Sequence, residues 1–521
     1  MTRSDERTGG SSETKEPLTH VRQMAQGSAL LVSSGVVSFV GAFALAVLVA
    51  RTFGKVPFGL WAISFSLGQL LSIVGQLGAD WIVMRQGSYF QGIGDEPRLR
   101  RTIHLSLLIA GVGLVSLGIG LFALADRVAE TVFDEAALAP LLRITAVMTP
   151  IVGMRQVIVY STQAFKEMKD AALIRNLLQP ALRLAFVAVA VVVADDLTIA
   201  YGSLLVAEIA LAAISVVVLQ RRISLTGPVA PVEGGKLLRF AIPAWASRLA
   251  GQSRAQLMPV LLGSLSAIAT SAVYTASNRI AGALTSVVNS LNQVYTAIGS
   301  DLYLQGRRDE FATVYRSATK WTFTLGAPLL VLMLAFPVEL LSVFGGSFRE
   351  GETALVILAV GMLFHFGTGP VTVTLIIVGR STLALLDYVV VIVIELVLAF
   401  WLIPRYGLLG GAIAKAVGTA LNNIVPLWQV WLSERVLPFG FDFWKPAAAA
   451  LVAAVVARVA VSVLPLGDGV LAAAAAGIAI AAVYLPAVWL LGLSEEDRAA
   501  LASLKVRRGG NAVPDAAGST D

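Results

Sequence analysis

The segment PAWASRLAGQSRAQLMPVLL, residues Pro243 to Leu262, combines the length of a membrane-spanning helix with two arginines, Arg248 and Arg254. Apolar runs of about 20 residues, the length that crosses a bilayer as a helix, recur along almost the whole chain. The chain has 521 residues, of which 57% are apolar and only 14% are charged. This pattern predicts an all-helical, polytopic membrane protein.

The apolar runs predict about fourteen transmembrane helices, with boundaries placed to roughly two to four residues. The predicted spans are residues 27–50, 60–84, 103–125, 138–163, 172–194, 197–220, 237–262, 268–299, 321–344, 353–378, 382–403, 407–432, 445–464 and 469–492. Of the 39 lysines and arginines, 26 lie in the tails and even-numbered loops and five in the other loops. By the positive-inside rule, we expect a multi-pass protein of the cell membrane with both termini in the cytosol.

The remaining composition excludes several function classes. The net charge of +6 follows from this loop asymmetry and gives little support to nucleic-acid binding. There is no cysteine, and the three histidines lie far apart, so neither a metal site nor a cofactor is predicted. Residues 1–26 lack the apolar core and cleavage site of a signal peptide, and we expect a disordered cytosolic tail there.

An internal repeat of about six spans is suggested by two similar offsets. A shift of 213 residues lays Trp61, Ser64, Ser72, Gln76 and Asp80 on Tyr274, Ser277, Thr285, Asn289 and Gln293. A shift of 209 lays YGSLLVAEIA, from Tyr201, on GGAIAKAVGT, from Gly410. An even number of spans gives both copies the same orientation. The predicted domains are an N-lobe at 27–220, a cytosolic linker at 221–236, a C-lobe at 237–432, two further helices at 433–492 and a cytosolic tail at 493–521.

Polar residues form stripes on the two repeat-related spans, 60–84 and 268–299. They recur at intervals of three and four residues, which places them on one face of each helix. Polar side chains facing lipid are costly, so we expect a cavity between the lobes, with hydrogen bonds between helices as the alternative. The predicted cavity lining is Gln69, Ser72, Gln76, Asn278, Thr285, Asn289 and Asn292.

Six cations lie deep within the predicted spans, at Arg155, Arg183, Arg248, Arg254, Arg279 and Lys415. Exposing all six to lipid would cost roughly 15–21 kcal/mol, so they must face inward. Arg183 and Glu208 fall at equal depth on consecutive antiparallel spans, as do Glu395 and Lys415. We predict both as structural ion pairs, with a role in coupling as the alternative.

Arg248, Arg254 and Arg279, with Arg155 as a fourth, have no evident acidic partner in the sequence. A guanidinium stays charged and binds phosphate oxygens through two parallel hydrogen bonds. The pattern therefore predicts a phosphate-binding cluster inside a transport cavity. The alternative for Arg254 is that it caps backbone carbonyls or reaches the outer interface.

Three stretches carry a family resemblance. They are VARTFGKVPFGLWAISFSLGQLLSIVGQLGADWIVMR (Val49–Arg85), QAFKEMKDAALIRNLLQPALRL (Gln163–Leu184) and RYGLLGGAIAKAVG (Arg405–Gly418). In these stretches the sequence resembles the Wzx-type flippases of polysaccharide biosynthesis. Those proteins belong to the same superfamily as exporters of the MATE type and the lipid II flippase. The resemblance extends over about residues 27–435.

The resemblance implies a flippase for an oligosaccharide linked to a polyprenyl phosphate or pyrophosphate, working by alternating access among membrane lipids. Such a transporter makes no covalent bond and is not an enzyme. An ion gradient or the membrane potential is its expected driving force, with Asp80, Glu208 and Glu395 as candidates for ion coupling. It also implies a monomeric transport unit that cooperates with glycosyltransferases and a polymerase of the same pathway.

Three alternatives remain open. A MATE-like exporter has the same fold, although members that move cations usually depend on acids in the N-lobe cavity, and the first span here has none. A lipid II flippase would also need the arginines. A membrane polymerase or ligase is disfavoured because the predicted outer loops are short and hold no acid–base pair or nucleophile. No Gly-rich phosphate loop indicates ATP hydrolysis.

Overall fold

The computed structural model describes residues 35–165, 168–232, 234–463 and 469–490. In the first half of the chain the main helices are α1 (Gly35–Phe53), α2 (Lys55–Gly75), α3 (Glu96–Val132), α4 (Ala139–Gln163), α5 (Gln179–Ala194) and α6 (Leu197–Gln220). In the second half they are α7 (Gly234–Leu265), α8 (Ile268–Ala281), α9 (Thr285–Leu304), α10 (Arg308–Ala335), α11 (Glu352–Thr368), α12 (Val371–Ile377), α13 (Ser381–Tyr406), α14 (Leu408–Glu434), α15 (Trp444–Val463) and α16 (Val470–Leu490). No β-strand occurs in these ranges.

Twelve helical segments within the described residues are long and apolar enough to cross a membrane. The prediction of an all-helical, multi-pass membrane protein is therefore confirmed. The predicted spans 237–262 and 268–299 correspond to α7 and to the α8–α9 pair, and neither is among the twelve. Arginines and amides lower the hydropathy of these two passages, and α8 is separated from α9 by a short turn. The count of fourteen spans stays a prediction.

Helix starts follow from local capping. The Asp95 carboxylate accepts a hydrogen bond from the backbone nitrogen of Arg98 (3.1 Å) and begins α3. Asp196 caps α6 in the same way through the nitrogen of Ile199 (2.9 Å). Each carboxylate satisfies an N–H group that the first turn of a helix leaves unpaired.

Exposed apolar side chains mark the lipid-facing surface. On α3 they form one stripe along the helix, made of Leu108, Val112, Val115, Ile119 and Phe122. Spacings of three and four residues place these side chains on a single helix face. On a soluble protein such a stripe would be an aggregation hazard, whereas here it is the surface expected to contact acyl chains.

Helix α2 connects the two halves of the molecule. It packs against α3 and α4 on one side and against α7 and α8 on the other. Its Trp61 ring meets the Tyr201 ring of α6 edge-on, with centroids 4.9 Å apart. The predicted lobe boundaries at 27–220, 221–236, 237–432 and 433–492 stay predictions. The two predicted tails, 1–26 and 493–521, lie outside the described residues.

The end of α2 is broken at Gly78. Leu77 and Gly78 both have positive φ, 48° and 80°, and a new short helix then begins at Ala79. A Cβ atom at Gly78 would lie 2.7 Å from the carbonyl oxygen of Ala241 on α7. Only glycine combines this backbone conformation with such a close approach to α7. The break aims Asp80 toward α7.

Replacing Gly78 with alanine is expected to destabilise the protein by roughly 1–3 kcal/mol, the cost of a residue held in an unfavourable backbone conformation. Thermal unfolding of the purified protein in detergent measures this. Gly120→Ala is the matched control, because nothing lies within 4 Å of its Cβ position inside α3. Equal unfolding temperatures for the two variants would contradict the account of the break.

Candidate functional site

A cavity of about 650 Å³ lies between α1, α2, α4 and the start of α5 on one side and α7 and α8 on the other. Five arginines border it, with no acidic residue among the lining side chains in the described part of the chain. The five are Arg155, Arg175, Arg183, Arg248 and Arg279. The cavity wall is therefore strongly cationic.

Arg279 is a half-buried charge of this wall. It lies in the last turn of α8, and its side chain makes neither a hydrogen bond nor an ion pair with any described residue. A cation within a membrane protein costs roughly 2.5–3.5 kcal/mol unless it faces water or an anion. The cavity supplies the water, and an anionic ligand would supply the counter-charge.

Arg248 is paired, contrary to the sequence-based expectation. Its guanidinium forms an ion pair with Asp80 and donates to the side-chain oxygens of Gln76 (3.2 Å) and Gln156 (3.4 Å). It also lies over the Tyr160 ring, 5.4 Å from the centroid. The expectation that Arg248 lacks an acidic partner is wrong, because the break at Gly78 brings Asp80 to it across the interface of α2 and α7.

Arg155 and Arg183 share one carboxylate, Glu208 of α6. Arg155 Nε lies 2.9 Å from Glu208 Oε2, and Arg183 Nη2 lies 2.6 Å from Oε1. Glu208 is completely buried. The Arg183–Glu208 contact was expected from equal depth on adjacent helices. The expectation that Arg155 has no acidic partner is wrong, since α6 packs against both α4 and α5.

A second carboxylate, Glu395 of α13, is held in the same way. Arg254 Nη2 lies 2.8 Å from Glu395 Oε2, and Lys415 Nζ lies 3.3 Å from Oε1. Lys415 also donates to the backbone oxygen of Arg254 (3.1 Å). The expectation that Arg254 is unpaired is therefore wrong, and Arg254 is not among the residues that border the cavity. Its charge is neutralised by Glu395 where α7, α13 and α14 pack together.

A second cavity, of about 550 Å³, adjoins the first and is lined by amides and hydroxyls. The two share Ser38, Arg175 and Asn176. The amide side chains of the second cavity are Asn176, Asn289, Asn292, Gln293, Asn422 and Asn423. Among its described lining residues Arg175 is the one arginine, so most of its wall is uncharged and rich in hydrogen-bonding groups.

The predicted polar stripes divide between these cavities and the helix packing. Gln69 and Asn278 border the first cavity, and Asn289 and Asn292 border the second. The other three, Ser72, Gln76 and Thr285, border neither of these two cavities, so the expectation that they line them is wrong.

Each of the three has a local reason for its position. Ser72 donates to the backbone oxygen of Thr149 on α4 (3.5 Å). The Gln76 side chain forms hydrogen bonds with Arg248 and Gln156. Thr285 begins α9 immediately after the turn that breaks the span. Hydrogen bonding between helices, the alternative considered for such residues, describes Ser72.

Sequence reasoning missed Arg175 and Asn176, which border both cavities. They lie in a π-helical turn, Leu173–Leu178, at the start of the α5 passage. Such a turn adds a residue to the helical repeat and is common at functional sites. Arg175 lies at the cytosolic start of the predicted span 172–194 and is counted with the basic residues of the preceding loop, and no sequence signal marks the π-turn that aims it at the cavity.

The three acids proposed for ion coupling, Asp80, Glu208 and Glu395, are all buried and all paired with basic residues. Among the residues that the structure describes, no three histidine, aspartate or glutamate side chains group as metal ligands.

Comparison with known proteins identifies the family of this chain. The family model described as polysaccharide biosynthesis protein matches residues 24–296, more than half of the chain. The chain belongs to the polysaccharide biosynthesis protein family. A second model, MatE, matches residues 243–401. The resemblance to polysaccharide flippases is thereby confirmed, and the chain is a multi-pass membrane transporter of the MOP superfamily.

Two curated relatives are similar to this family member. Stage V sporulation protein B of Bacillus subtilis (strain 168) is 24% identical over 443 residues, covering 79% of this chain and 84% of the relative. The capsular polysaccharide biosynthesis protein CapF of Staphylococcus aureus is 28% identical over 130 residues. That match covers 25% of this chain and spans only 33% of the relative.

Solved transporter structures share the fold. A multidrug resistance MATE family transporter of the MOP superfamily in an inward-facing conformation matches with a TM-score of 0.65 and 14% identity, over 79% of this chain and 98% of that one. The outward-facing conformation of such a transporter matches with a TM-score of 0.57 and 15% identity, over 81% and 98%. A MOP superfamily transporter from Pyrococcus furiosus, described as having reversed polarity of the binding pocket, matches with a TM-score of 0.58 and 14% identity, over 82% and 99%.

Proposed function

We propose that this protein is a flippase that moves an oligosaccharide linked to a lipid phosphate or pyrophosphate from the cytosolic to the outer leaflet by alternating access. The observation that carries the proposal is Arg279, which pairs with no described residue and lies in the wall of an arginine-lined cavity. Because Arg155, Arg183 and Arg248 keep carboxylate partners, the phosphate-binding site centres on Arg279, with Arg248 at its edge. Arg175 is the second cavity arginine without a carboxylate partner among the described residues, and it adds to the positive charge of the site.

Charge balance supports an anionic substrate. Five arginines border the first cavity, and only Asp80 and Glu208 are in ion pairs with them among the described residues. The cavity thus holds an excess of positive charge that a phosphate or pyrophosphate would neutralise. Guanidinium groups in a cavity of low dielectric constant bind such oxyanions more strongly than they do in water.

The adjoining amide-lined cavity suits the sugar. Hydroxyl groups of an oligosaccharide both donate and accept hydrogen bonds, as amide side chains do. Asn292 borders this cavity, and its buried side-chain oxygen has no hydrogen-bond partner among the residues that the structure describes. We infer that the phosphate lies among the arginines and that the sugar extends past Asn176 into the second cavity.

Contacts at the predicted outer ends of the helices favour an inward-facing state. Arg51 donates to the backbone oxygen of Val343 (2.7 Å), and Lys55 pairs with Glu350 (2.9 Å), which joins α1 and α2 to the segment that follows α10. The higher TM-score against an inward-facing transporter supports the same state. In that state the substrate would enter from the cytosolic side.

The cellular setting of this activity is part of the proposal. We expect a multi-pass protein of the cell membrane with cytosolic termini, which works as a monomeric unit. Glycosyltransferases and a polymerase would then supply and consume the lipid-linked oligosaccharide. The name of the capsular relative, CapF, supports a role in surface polysaccharide assembly.

Reconstituted liposomes test the proposed function. With purified protein, a polyprenyl-pyrophosphate-linked oligosaccharide placed in one leaflet should reach the other faster than in protein-free liposomes. The matched substrate is a neutral polyprenyl lipid with the same sugar, which should not move. If the charged lipid stays in place, or if both lipids move equally, the proposed function is wrong.

The second candidate function is small-molecule export of the MATE type, favoured by the MatE match to residues 243–401. A lipid II flippase remains an alternative within the first proposal, since it would use the same arginines. The five arginines of the cavity oppose a cationic drug but admit an anionic one.

Cells that express the protein are therefore expected to accumulate a cationic dye such as ethidium as fast as cells without it. The physical reason is repulsion between the dye and the net positive charge of the cavity wall, because two carboxylates among the described residues offset only part of the charge of its five arginines. Dye fluorescence in energised cells measures this, with a known cation exporter as positive control. Protein-dependent exclusion of the dye would favour the exporter function over the flippase function.

A further inference from the structure

Asp387 of α13 and Gln429 of α14 form an incompletely bonded pair. Gln429 Nε2 donates to Asp387 Oδ1 at 2.8 Å. Their other oxygens, Asp387 Oδ2 and Gln429 Oε1, are both buried and have no hydrogen-bond partner in the described part of the chain. Only 7% of Asp387 is exposed. Two adjacent buried acceptors without a donor require an explanation, because such groups are nearly always satisfied in folded proteins.

Asp387 differs from the other buried acids in the described residues. Asp80, Glu208, Glu339 and Glu395 each form an ion pair with arginine or lysine. Asp387 forms no ion pair with a described residue, and its hydrogen bond is with an uncharged amide. An ionised carboxylate buried without a counter-ion is costly, so the neutral form is the one that fits this position.

The surroundings of the pair are mainly apolar. Leu383, Ala384, Leu427 and Val430, from the adjacent turns of α13 and α14, belong to one hydrophobic cluster with α9, α10 and α12. Helix α13 packs against α7, α12 and α14. Helix α12 has no titratable residue.

The charged and titratable groups of the other three helices form their hydrogen bonds and ion pairs with other partners. Arg254 and Lys415 bind Glu395, Arg248 binds Asp80, Glu434 binds Arg308 and Tyr303, and Arg405 binds a backbone oxygen. Arg239 and Arg380 are exposed, and Tyr388 borders the second cavity. None of these groups bonds to Asp387.

We propose that Asp387 and Gln429 form a proton-binding site, in which the protonated carboxyl donates from Oδ2 to Gln429 Oε1. One proton then satisfies both unpartnered oxygens, because a protonated carboxyl gains an O–H donor. Together with the existing bond from Nε2 to Oδ1, this closes a cyclic pair of hydrogen bonds between α13 and α14. Release of the proton to water leaves a carboxylate facing an amide oxygen, and the two helices lose one of their bonds.

This site is placed to influence transport, a part of the inference that rests on the proposed function. Tyr388, the next residue after Asp387, borders the amide-lined cavity, and so do Asn422 and Asn423 of α14. Loss of a bond between α13 and α14 would therefore alter the cavity wall. A proton gradient across the membrane would bias the conformation through this pair.

Infrared spectroscopy of the purified full-length protein in lipid nanodiscs tests the proton-binding site without reference to transport. The wild-type spectrum should contain the carbonyl stretch of a protonated carboxylic acid, shifted by deuteration. That band should disappear in Asp387→Asn, whose amide still forms both hydrogen bonds with Gln429 and should keep the fold. Asp126→Asn is the control, because Asp126 is exposed and paired with Arg143. If Asp387→Asn removes no such band, the proposal is overturned.

Transport in liposomes with an imposed pH gradient tests the coupling. We expect the gradient to change the wild-type rate several-fold and to leave the rate of Asp387→Asn unchanged. A gradient response that survives in Asp387→Asn would show that coupling runs through another group. If the infrared band is present but the wild-type protein moves no lipid-linked oligosaccharide, the proton-binding site stands and the proposed function fails.

Discussion

Arg279→Ala is expected to slow transport of the lipid-linked oligosaccharide roughly 10- to 100-fold, the effect of losing charge-assisted hydrogen bonds of about 1.5–3 kcal/mol. The physical reason is that Arg279 has no carboxylate partner among the described residues, so its bonding capacity is directed at the cavity. Removing an unpaired cation should not destabilise the protein. The variant is expected to unfold at the wild-type temperature or above, as measured by thermal unfolding in detergent alongside transport in liposomes.

Two variants sharpen this test. Arg279→Lys keeps the charge but loses the two-pronged geometry, and an intermediate transport rate is expected. Arg143→Ala removes an exposed arginine that pairs with Asp126 away from the cavity, and it should transport normally. A folded Arg279→Ala protein that transports at the wild-type rate would remove Arg279 from the substrate site. A variant that unfolds instead would show that Arg279 is structural.

The fold could be predicted from the sequence because it depends on regular, local signals. Apolar runs of bilayer length, turn residues between them and the distribution of basic residues predict a many-helix membrane protein. The two passages that fall short of the hydropathy of a span are α7 and α8–α9, which carry Arg248, Arg254 and Arg279. Two of these three residues, Arg248 and Arg279, therefore weaken the span signal and also border the cavity.

The pairing of the arginines could not be predicted, for a reason of distance along the chain. Arg183 and Glu208 lie on consecutive helices, so equal depth was enough to bring them together. Arg254 and Glu395 are 141 residues apart, and their contact depends on the packing of α7 against α13. Asp80 meets Arg248 only because the helix breaks at Gly78. A helical projection of the α2 sequence assumes an unbroken helix and so does not predict this contact.

The residues that line the cavity could be predicted only where the helices are regular. A helical face predicts Gln69 and Asn278 as neighbours of the cavity as long as the helix is regular. It fails at Thr285, where a turn separates α8 from α9, and at Arg175, where a π-turn shifts the face. Irregular turns depend on tertiary packing, and a single sequence gives no measure of that.

Glu208→Ala is expected to destabilise the protein by roughly 3–5 kcal/mol, the cost of breaking a buried ion pair by removing one partner. The carboxylate neutralises Arg155 and Arg183 together, and its side chain is fully buried. Without it, two guanidinium groups would face each other at low dielectric constant. A large fall in unfolding temperature is the expected result, and fluorescence-detected size-exclusion chromatography after heating would measure it.

The matched control is Asp126→Ala, which breaks an exposed ion pair with Arg143 and should cost less than about 1 kcal/mol.

A triple variant, Arg155→Met, Arg183→Met and Glu208→Leu, separates stability from function. Replacing a whole buried ion cluster with apolar side chains is often neutral or stabilising, so this protein should unfold near the wild-type temperature. It should nevertheless transport more slowly, because the cavity has lost two of its five arginines while giving up only one carboxylate. If Glu208→Ala unfolds no earlier than Asp126→Ala, the cluster does not hold α4, α5 and α6 together. If the triple variant transports at the wild-type rate, the positive charge of Arg155 and Arg183 does not serve the substrate.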